Sequence, residues 1–169
     1  MIGDETVRIM AESLVQSTNG SLPALPPTLN ARPLQLRAHP CVISKLQLQY
    51  CMVGAIGSFH LAEALQRNNT LTSLNLRDNN IGDDGLAAIA VALKTNNTVT
   101  ELDVEMNKIG NQGAVELADA LRRNTGLLFL DLSINFIGNT GAAALSDALE
   151  QSNNTVQTIN LLGNMVEDS

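Results

Sequence analysis

The sequence predicts an α/β solenoid, one stack of about five strand units alternating with helices. Three observations predict it. A motif of alternating aliphatic residues returns every 28 residues along most of the chain. Between its copies the apolar pattern changes from period 2 to period 3.6, the change from a strand to a helix that buries one face. The composition is 44% hydrophobic but only 2% aromatic, so Leu, Ala, Ile and Val build the core by repetition rather than around an aromatic-lined pocket. At 169 residues the chain is one domain of ordinary size.

Taken in order, residues 1–17 match the turn and helix of a unit whose strand is missing, from Ile2-Gly3-Asp4-Glu5 to Leu14, so the chain is expected to begin in mid-repeat. Residues 18–42 hold all five prolines, Pro23, Pro26, Pro27, Pro33 and Pro40, which excludes a regular helix and predicts an irregular surface connection that interrupts the stack. Residues 43–169 hold the regular units. Ile43-x-x-Leu46-x-Leu48-x-x-Cys51-x-Val53-Gly54 is the first full strand unit. Leu71-x-x-Leu74-x-Leu76-x-x-Asn79-x-Ile81-Gly82, Val99-x-x-Leu102-x-Val104-x-x-Asn107-x-Ile109-Gly110 and Leu127-x-x-Leu130-x-Leu132-x-x-Asn135-x-Ile137-Gly138 follow in phase. Val156-x-x-Ile159-x-Leu161-x-x-Asn164-x-Val166 comes last, after a one-residue insertion. In the intervening helices Leu61, Ile89, Leu117 and Leu145 are equivalent, with Leu65, Leu93, Leu121 and Leu149 four residues on. Ala64, Ala92, Ala120 and Ala148 stand beside them, where neighbouring helices come close. Ser169 follows a strand unit with no closing helix or polar cap, which solenoids usually need, so a fragment, a truncated product or a partner-covered end is expected.

The motif has a physical basis. Its aliphatic positions alternate inward along a short strand and stack on their equivalents, because no unit buries its face alone. Asn79, Asn107, Asn135 and Asn164 carry amides suited to backbone groups where each strand turns sharply into its loop, and Cys51 fills that slot in the first full unit.

From Ile43 to Val166 these residues resemble the leucine-rich repeat family, specifically its 28-residue ribonuclease-inhibitor-like class, which includes repeats of NOD-like receptors and of the Ran GTPase-activating protein. The resemblance implies a curved solenoid with a parallel sheet on the concave face and helices on the convex face.

Strand residues off the core side then form the concave surface, and the register assigns them. They are Lys45, Gln47 and Gln49; Ser73, Asn75 and Arg77; Glu101, Asp103 and Glu105; Phe129, Asp131 and Ser133; Thr158, Asn160 and Leu162. Acidic residues gather at the centre, with Asp78 at one flank and with Met106, Phe129 and Ile134 as apolar contacts beside them. Arg77, Asp78, Glu101, Asp103, Glu105, Met106, Phe129, Asp131 and Ile134 are therefore the candidate protein-binding residues. Asp103 and Asp131 fall in one lateral row on strands about 4.8 Å apart, where like charges repel unless a cation or basic side chain intervenes. A ligand is expected to relieve them.

Other chemistry fits less well. Paired carboxylates on a broad open sheet exclude water poorly, and no concave His or Cys stands beside them as a partner, so catalysis is not expected. His39, Cys41, Cys51 and His60 lack convergent zinc spacing, and no metal or cofactor is expected. Gly54-x-x-Gly57, Gly82-x-x-Gly85, Gly110-x-x-Gly113 and Gly138-x-x-Gly141 look like a nucleic-acid clamp, but they recur in every unit as turn glycines and Asp83-Asp84 would repel phosphate. A calcium loop starting at Asp78 would need Glu where Ile89 stands. Asn19, Asn68, Asn96 and Asn153 begin glycosylation sequons, three of them at one repeat phase, where loop chemistry explains them as well.

The formal charge of −7 and pI near 4.6 disfavour nucleic acid and anionic membrane as partners and favour a basic one. The longest apolar run, Leu86 to Leu93, is far short of the roughly 18 residues that span a membrane. The start lacks the pattern of a secretory signal, so cytoplasmic, or else nuclear, residence is expected. The function expected is a non-catalytic module that binds a basic or amphipathic protein through its acidic concave face. The resemblance carries three alternatives. One is a GTPase-activating regulator; another is a NOD-like-receptor fragment, although no GxxxxGK loop is present; the third is a tropomodulin-like actin-capping domain, although its additional closing helix is missing.

Overall fold

The computed structural model describes residues 4–19 and 43–167. Helix α1 (Asp4–Asn19) comes first. It is followed by β1 (Lys45–Gln47), α2 (Ala55–Leu65), β2 (Ser73–Asn75), α3 (Gly82–Leu93) and β3 (Glu101–Asp103). The series ends with α4 (Asn111–Leu121), β4 (Phe129–Asp131), α5 (Asn139–Gln151) and β5 (Thr158–Asn160). The predicted irregular connection, from residue 20 to 42, lies outside the described residues.

The five strands form one parallel sheet in chain order, and the helices pack side by side in the same order. Register follows the repeat: Leu46, Leu74, Leu102, Leu130 and Ile159 are lateral partners, the insertion before β5 being absorbed outside the strand. The core lies between sheet and helices. Leu71, Leu74, Leu76 and Ile81 of the second strand unit and their equivalents in the next two are at most 2% exposed, as are Leu61, Ile89, Leu117 and Leu145 facing them. Ala64, Ala92, Ala120 and Ala148 are equally buried, which lets adjacent helices approach. This is the α/β solenoid that the repeat predicts.

Three polar ladders bind each unit to its neighbour. In the first, Asn79 Oδ1 accepts from Cys51 N (3.1 Å) and Val53 N (2.8 Å), while its Nδ2 donates to Leu48 O (2.8 Å) and Leu76 O (2.7 Å). Asn107, Asn135 and Asn164 repeat the arrangement, each satisfying the turn of the preceding unit. The second ladder is Asn68, Asn96, Asn124 and Asn153, all buried between helix and strand. Asn96 Nδ2 donates to Leu65 O (2.7 Å) and Asn68 O (2.9 Å), and its Oδ1 accepts from Thr98 N (3.0 Å) and Val99 N (3.1 Å). The sequons at Asn68, Asn96 and Asn153 are thus occupied by loop chemistry in the folded chain; Asn19 closes α1.

The third ladder explains the paired glycines that open α2, α4 and α5, whereas Gly82 at α3 has no such neighbour. Helix α4 has no side chain of its own at its cap, Gly110, and Asp83 of the preceding unit accepts from Gly110 N at 2.6 Å. Asn111 does the same for Gly138 N and Gly141 N, both at 2.9 Å. A Cβ at Gly113 would lie 2.7 Å from Asp83 Oδ1. These amides serve the next unit's helix terminus and are closed to phosphate.

Candidate functional site

On the concave face β2, β3, β4 and β5 end with the same device, and β1, which ends in Gln47, lacks it. Asn75 Oδ1 accepts from Arg77 N (2.9 Å), Asp103 Oδ1 from Glu105 N (3.0 Å), Asp131 Oδ1 from Ser133 N (2.8 Å) and Asn160 Oδ1 from Leu162 N (3.1 Å). Asn and Asp suit this position because a short polar side chain reaches the backbone two residues on. The second oxygen of each acid turns sideways. Asn75 Nδ2 donates to Asp103 Oδ2 and Asn160 Nδ2 to Asp131 Oδ2, both at 3.0 Å, and Ser133 Oγ adds a bond to Asp131 Oδ1 at 2.5 Å. Asp103 and Asp131 are lateral neighbours, as predicted, but each leans on an amide from its outer side. Each acid thus has one side-chain amide partner of its own.

The next residues of this face are less open than the strand alternation predicts. Ser73, Glu105 and Ser133 are buried against neighbouring units. Arg77 Nη1 lies 2.6 Å from Glu105 Oε2, so the arginine that could have been a free finger is held by a carboxylate of the next unit. Burial pushes the Glu105 carboxyl above its ordinary range, Arg77 opposes the shift, and Asp131, Asp103 and Asp78 add to it. A raised folded-state value means that Glu105 contributes stability below its unfolded pKa and loses it as pH rises through the folded one. Glu105→Gln is therefore expected to melt above the wild type at pH 7, with the gap closing as pH falls toward 4; calorimetry across that range checks it.

Glu101 and Phe129 stay exposed at the other end of the strands. Between them and the Asn75–Asp103–Asp131–Asn160 row lies a shallow trough of about 320 Å³, floored by strand backbone at Leu102 and Leu130, whose side chains turn into the core. The trough thus joins three carboxylates and one aromatic ring on an open surface.

Beyond the strand ends runs a row with left-handed backbone: Tyr50 (φ 59°), Asp78 (φ 50°), Met106 (φ 55°), Ile134 (φ 51°) and Gly163 (φ 72°). The parallel ladder continues through it, since Asp78 N donates to Glu105 O (2.9 Å), Met106 N to Ser133 O (3.1 Å) and Ile134 N to Leu162 O (2.8 Å). Glycine adopts this conformation freely, whereas a residue with a Cβ is strained by about 1 kcal/mol or more. Ile134, β-branched and half exposed, is the most unusual member. Leu162, which the strand alternation assigns to the concave face, and Phe136, which the alternation misses because it lies in the loop beyond, flank it at 77% and 52% exposure.

The other sequence candidates stand apart. Cys51 Sγ donates to Gln49 O and His60 sits 3.8 Å from Glu63 on α2, while His39 and Cys41 lie outside the described residues. Among the described residues no group of three or more His, Cys, Asp or Glu side chains is placed to hold a metal ion. No described helix is long and apolar enough to cross a membrane.

The in-register parallel sheet, the outer helix layer and the asparagine ladders define a leucine-rich-repeat-type fold, on whose concave face Asp103, Asp131, Glu105 and Arg77 are engaged in structure. The Leucine Rich repeat family matches the chain at residues 67–90, 95–118 and 123–146. Among solved structures the chain is similar to Leiomodin-1 Actin-Binding Site 2 (ABS2), with a TM-score of 0.66 over 94% of this chain and 79% of that one. At 19% identity that likeness is one of fold. No curated protein matches the sequence.

Proposed function

We propose that this chain is a non-catalytic protein-binding module of the 28-residue, ribonuclease-inhibitor-like class, that its concave face takes a basic or amphipathic protein, and that this partner is actin. The observation that carries the reading is the open trough, where Glu101, Asp103 and Asp131 stand on one face beside the exposed ring of Phe129. The likeness to an actin-binding repeat structure supports actin over a GTPase or a receptor-type ligand. A cytoplasmic setting goes with that partner. The GTPase-activating alternative has less to stand on, because Arg77 is committed to Glu105. The outward strand positions, of which Ser73, Glu105 and Ser133 are buried, fall below the roughly 20–30 residues that a standard interface uses on each side, so the loops share the contact.

The test is filament co-sedimentation and monomer binding by anisotropy, comparing wild type with Glu101→Gln/Asp103→Asn/Asp131→Asn. The amides keep an acceptor for Glu105 N and Ser133 N but set an NH2 against Asn75 Nδ2 and Asn160 Nδ2, so binding is read on variant protein whose circular dichroism and melting match those of wild type. Binding is expected to weaken by about tenfold or more and to lose much of its salt dependence. Wild-type chain that binds neither form of actin removes actin as the partner; equal binding by the variant removes the concave acids as the site.

A further inference from the structure

We infer that the left-handed row at the loop rim, rather than the acidic trough, is the anchor of the interface, and that its occupant is an amphipathic helix lying along the stacking direction. The inference rests on reading the chain as a protein-binding module.

Geometry selects a helix. Consecutive members of the row belong to adjacent units joined by ladder hydrogen bonds, so they are spaced by about 4.8 Å. A helix rises about 5.4 Å per turn, so one residue per turn falls opposite each unit for several units. The row reads Tyr50, Asp78, Met106, Ile134, with Leu162 exposed beside its last member. An occupant that matches it presents apolar residues at i and i+4 to Ile134 and Met106, a basic residue near i+7 to Asp78, and an apolar residue near i+11 to Tyr50.

Charge complementarity sets the sign of that helix. Its inner flank would face Asp103 and Asp131, while Arg77, on the same face, is already paired with Glu105. Lysine or arginine on the inner flank is therefore favoured, and acidic residues there are excluded. Strain supplies a further sign that the row is kept for contact. The same position is glycine in the last unit, where the backbone demand is met without strain, yet Met106 and Ile134 meet it with large exposed side chains.

The probe is an 18-residue helical peptide with Leu at i, i+4 and i+11, Lys at i+7 and lysines along one flank, followed by anisotropy against the full chain. Its control replaces every Lys by Glu. The lysine peptide should bind and the control should not. Ile134→Gly should bind about tenfold more weakly while melting no lower than wild type, since the substitution relieves strain. No binding by wild type, equal binding by Ile134→Gly, or a melting point several degrees lower in that variant overturns the inference. Sedimentation of the chain alone covers the remaining occupant: a dimer abolished by Ile134→Gly would make the row a self-interface and also overturn it. Charge neutralisation in the trough that leaves actin binding intact, while Ile134→Gly weakens both actin and peptide binding, would remove the concave reading and leave this one standing. The reverse pattern would do the opposite.

Discussion

Asn135→Ala is expected to lower the unfolding free energy by about 3–5 kcal/mol, among the largest effects of any polar substitution in this chain. The side chain is 3% exposed and uses its full capacity. Its Oδ1 accepts from Asn107 N (2.9 Å) and Ile109 N (3.0 Å), and its Nδ2 donates to Val104 O (3.0 Å), Leu132 O (2.9 Å) and Ser133 O (3.1 Å). Truncation strips both amide hydrogens of their acceptor in surroundings where Val104, Ile109 and Leu132 have no exposure. Each orphaned buried group costs about 1–3 kcal/mol, and water entering the vacated space recovers part of the total. The ladder is directional, so the damage falls on the turn of the preceding unit. Asn135→Asp should do little better at neutral pH, because it restores the acceptor but sets an oxygen against three carbonyls. Gln112→Ala, whose exposed amide bonds only Glu116, should stay within about 0.5 kcal/mol of wild type. Urea unfolding of the three variants reads the difference; a loss below about 1 kcal/mol for Asn135→Ala would show that the ladder is decorative.

That ladder was legible because it recurs: a column of Asn at a strand-to-loop junction has one economical explanation. The second ladder was half legible. Asn68, Asn96 and Asn153 stood out as sequons at one phase, but Asn124 did not, because Gly126 stands where a sequon needs Ser or Thr, and nothing in the sequence says that these side chains point inward. On the concave face, period 2 named the right residues and mistook the state of several. Glu105 and Ser133 sit just past three-residue strands, Glu105 against Arg77 of the unit before and Ser133 against Asp131, and alternation carries no information on that scale. The strand-end hydrogen bonds did leave a trace, since Asn75, Asp103, Asp131 and Asn160 are all Asn or Asp, a preference that reports a backbone bond rather than a field of charge. The left-handed row left almost none. Tyr50, Asp78, Met106 and Ile134 share no side-chain property, and a backbone demand that stacking enforces is invisible wherever the residue does not comply with it cheaply.

Gly126→Ala should cost more than about 3 kcal/mol, through a different failure at the same interface between units. A Cβ there would stand 2.2 Å from Asn97 O, 2.5 Å from Asn97 C and 2.7 Å from Asn97 Cα. All three are backbone atoms, so no rotamer change relieves the clash and two loops must separate. The equivalent positions, Thr70, Thr98 and Thr155, carry side chains, so the close approach belongs to this junction alone. Its cause is a clip: Asn97 Oδ1 accepts from Thr125 N at 2.8 Å and draws the loop of one unit onto the next. Opening that clip to fit a methyl group would pull on Val99 and Leu127, both fully buried just beyond it. Asn97→Ala alone removes an exposed hydrogen bond and should cost about 1 kcal/mol or less. Combined with Gly126→Ala it frees the loops to part, so the double variant should be more stable than the sum of the two losses predicts, by about 1 kcal/mol or more. Gly82→Ala is the contrast. With φ at +60° and nothing within 4 Å of its added Cβ, it meets backbone strain without a clash and should lose only about 1–2 kcal/mol. Additive losses at Gly126 and Asn97, or a Gly126→Ala loss no larger than that of Gly82→Ala, would mean that the loops yield without the clip and that the junction is looser than its distances imply.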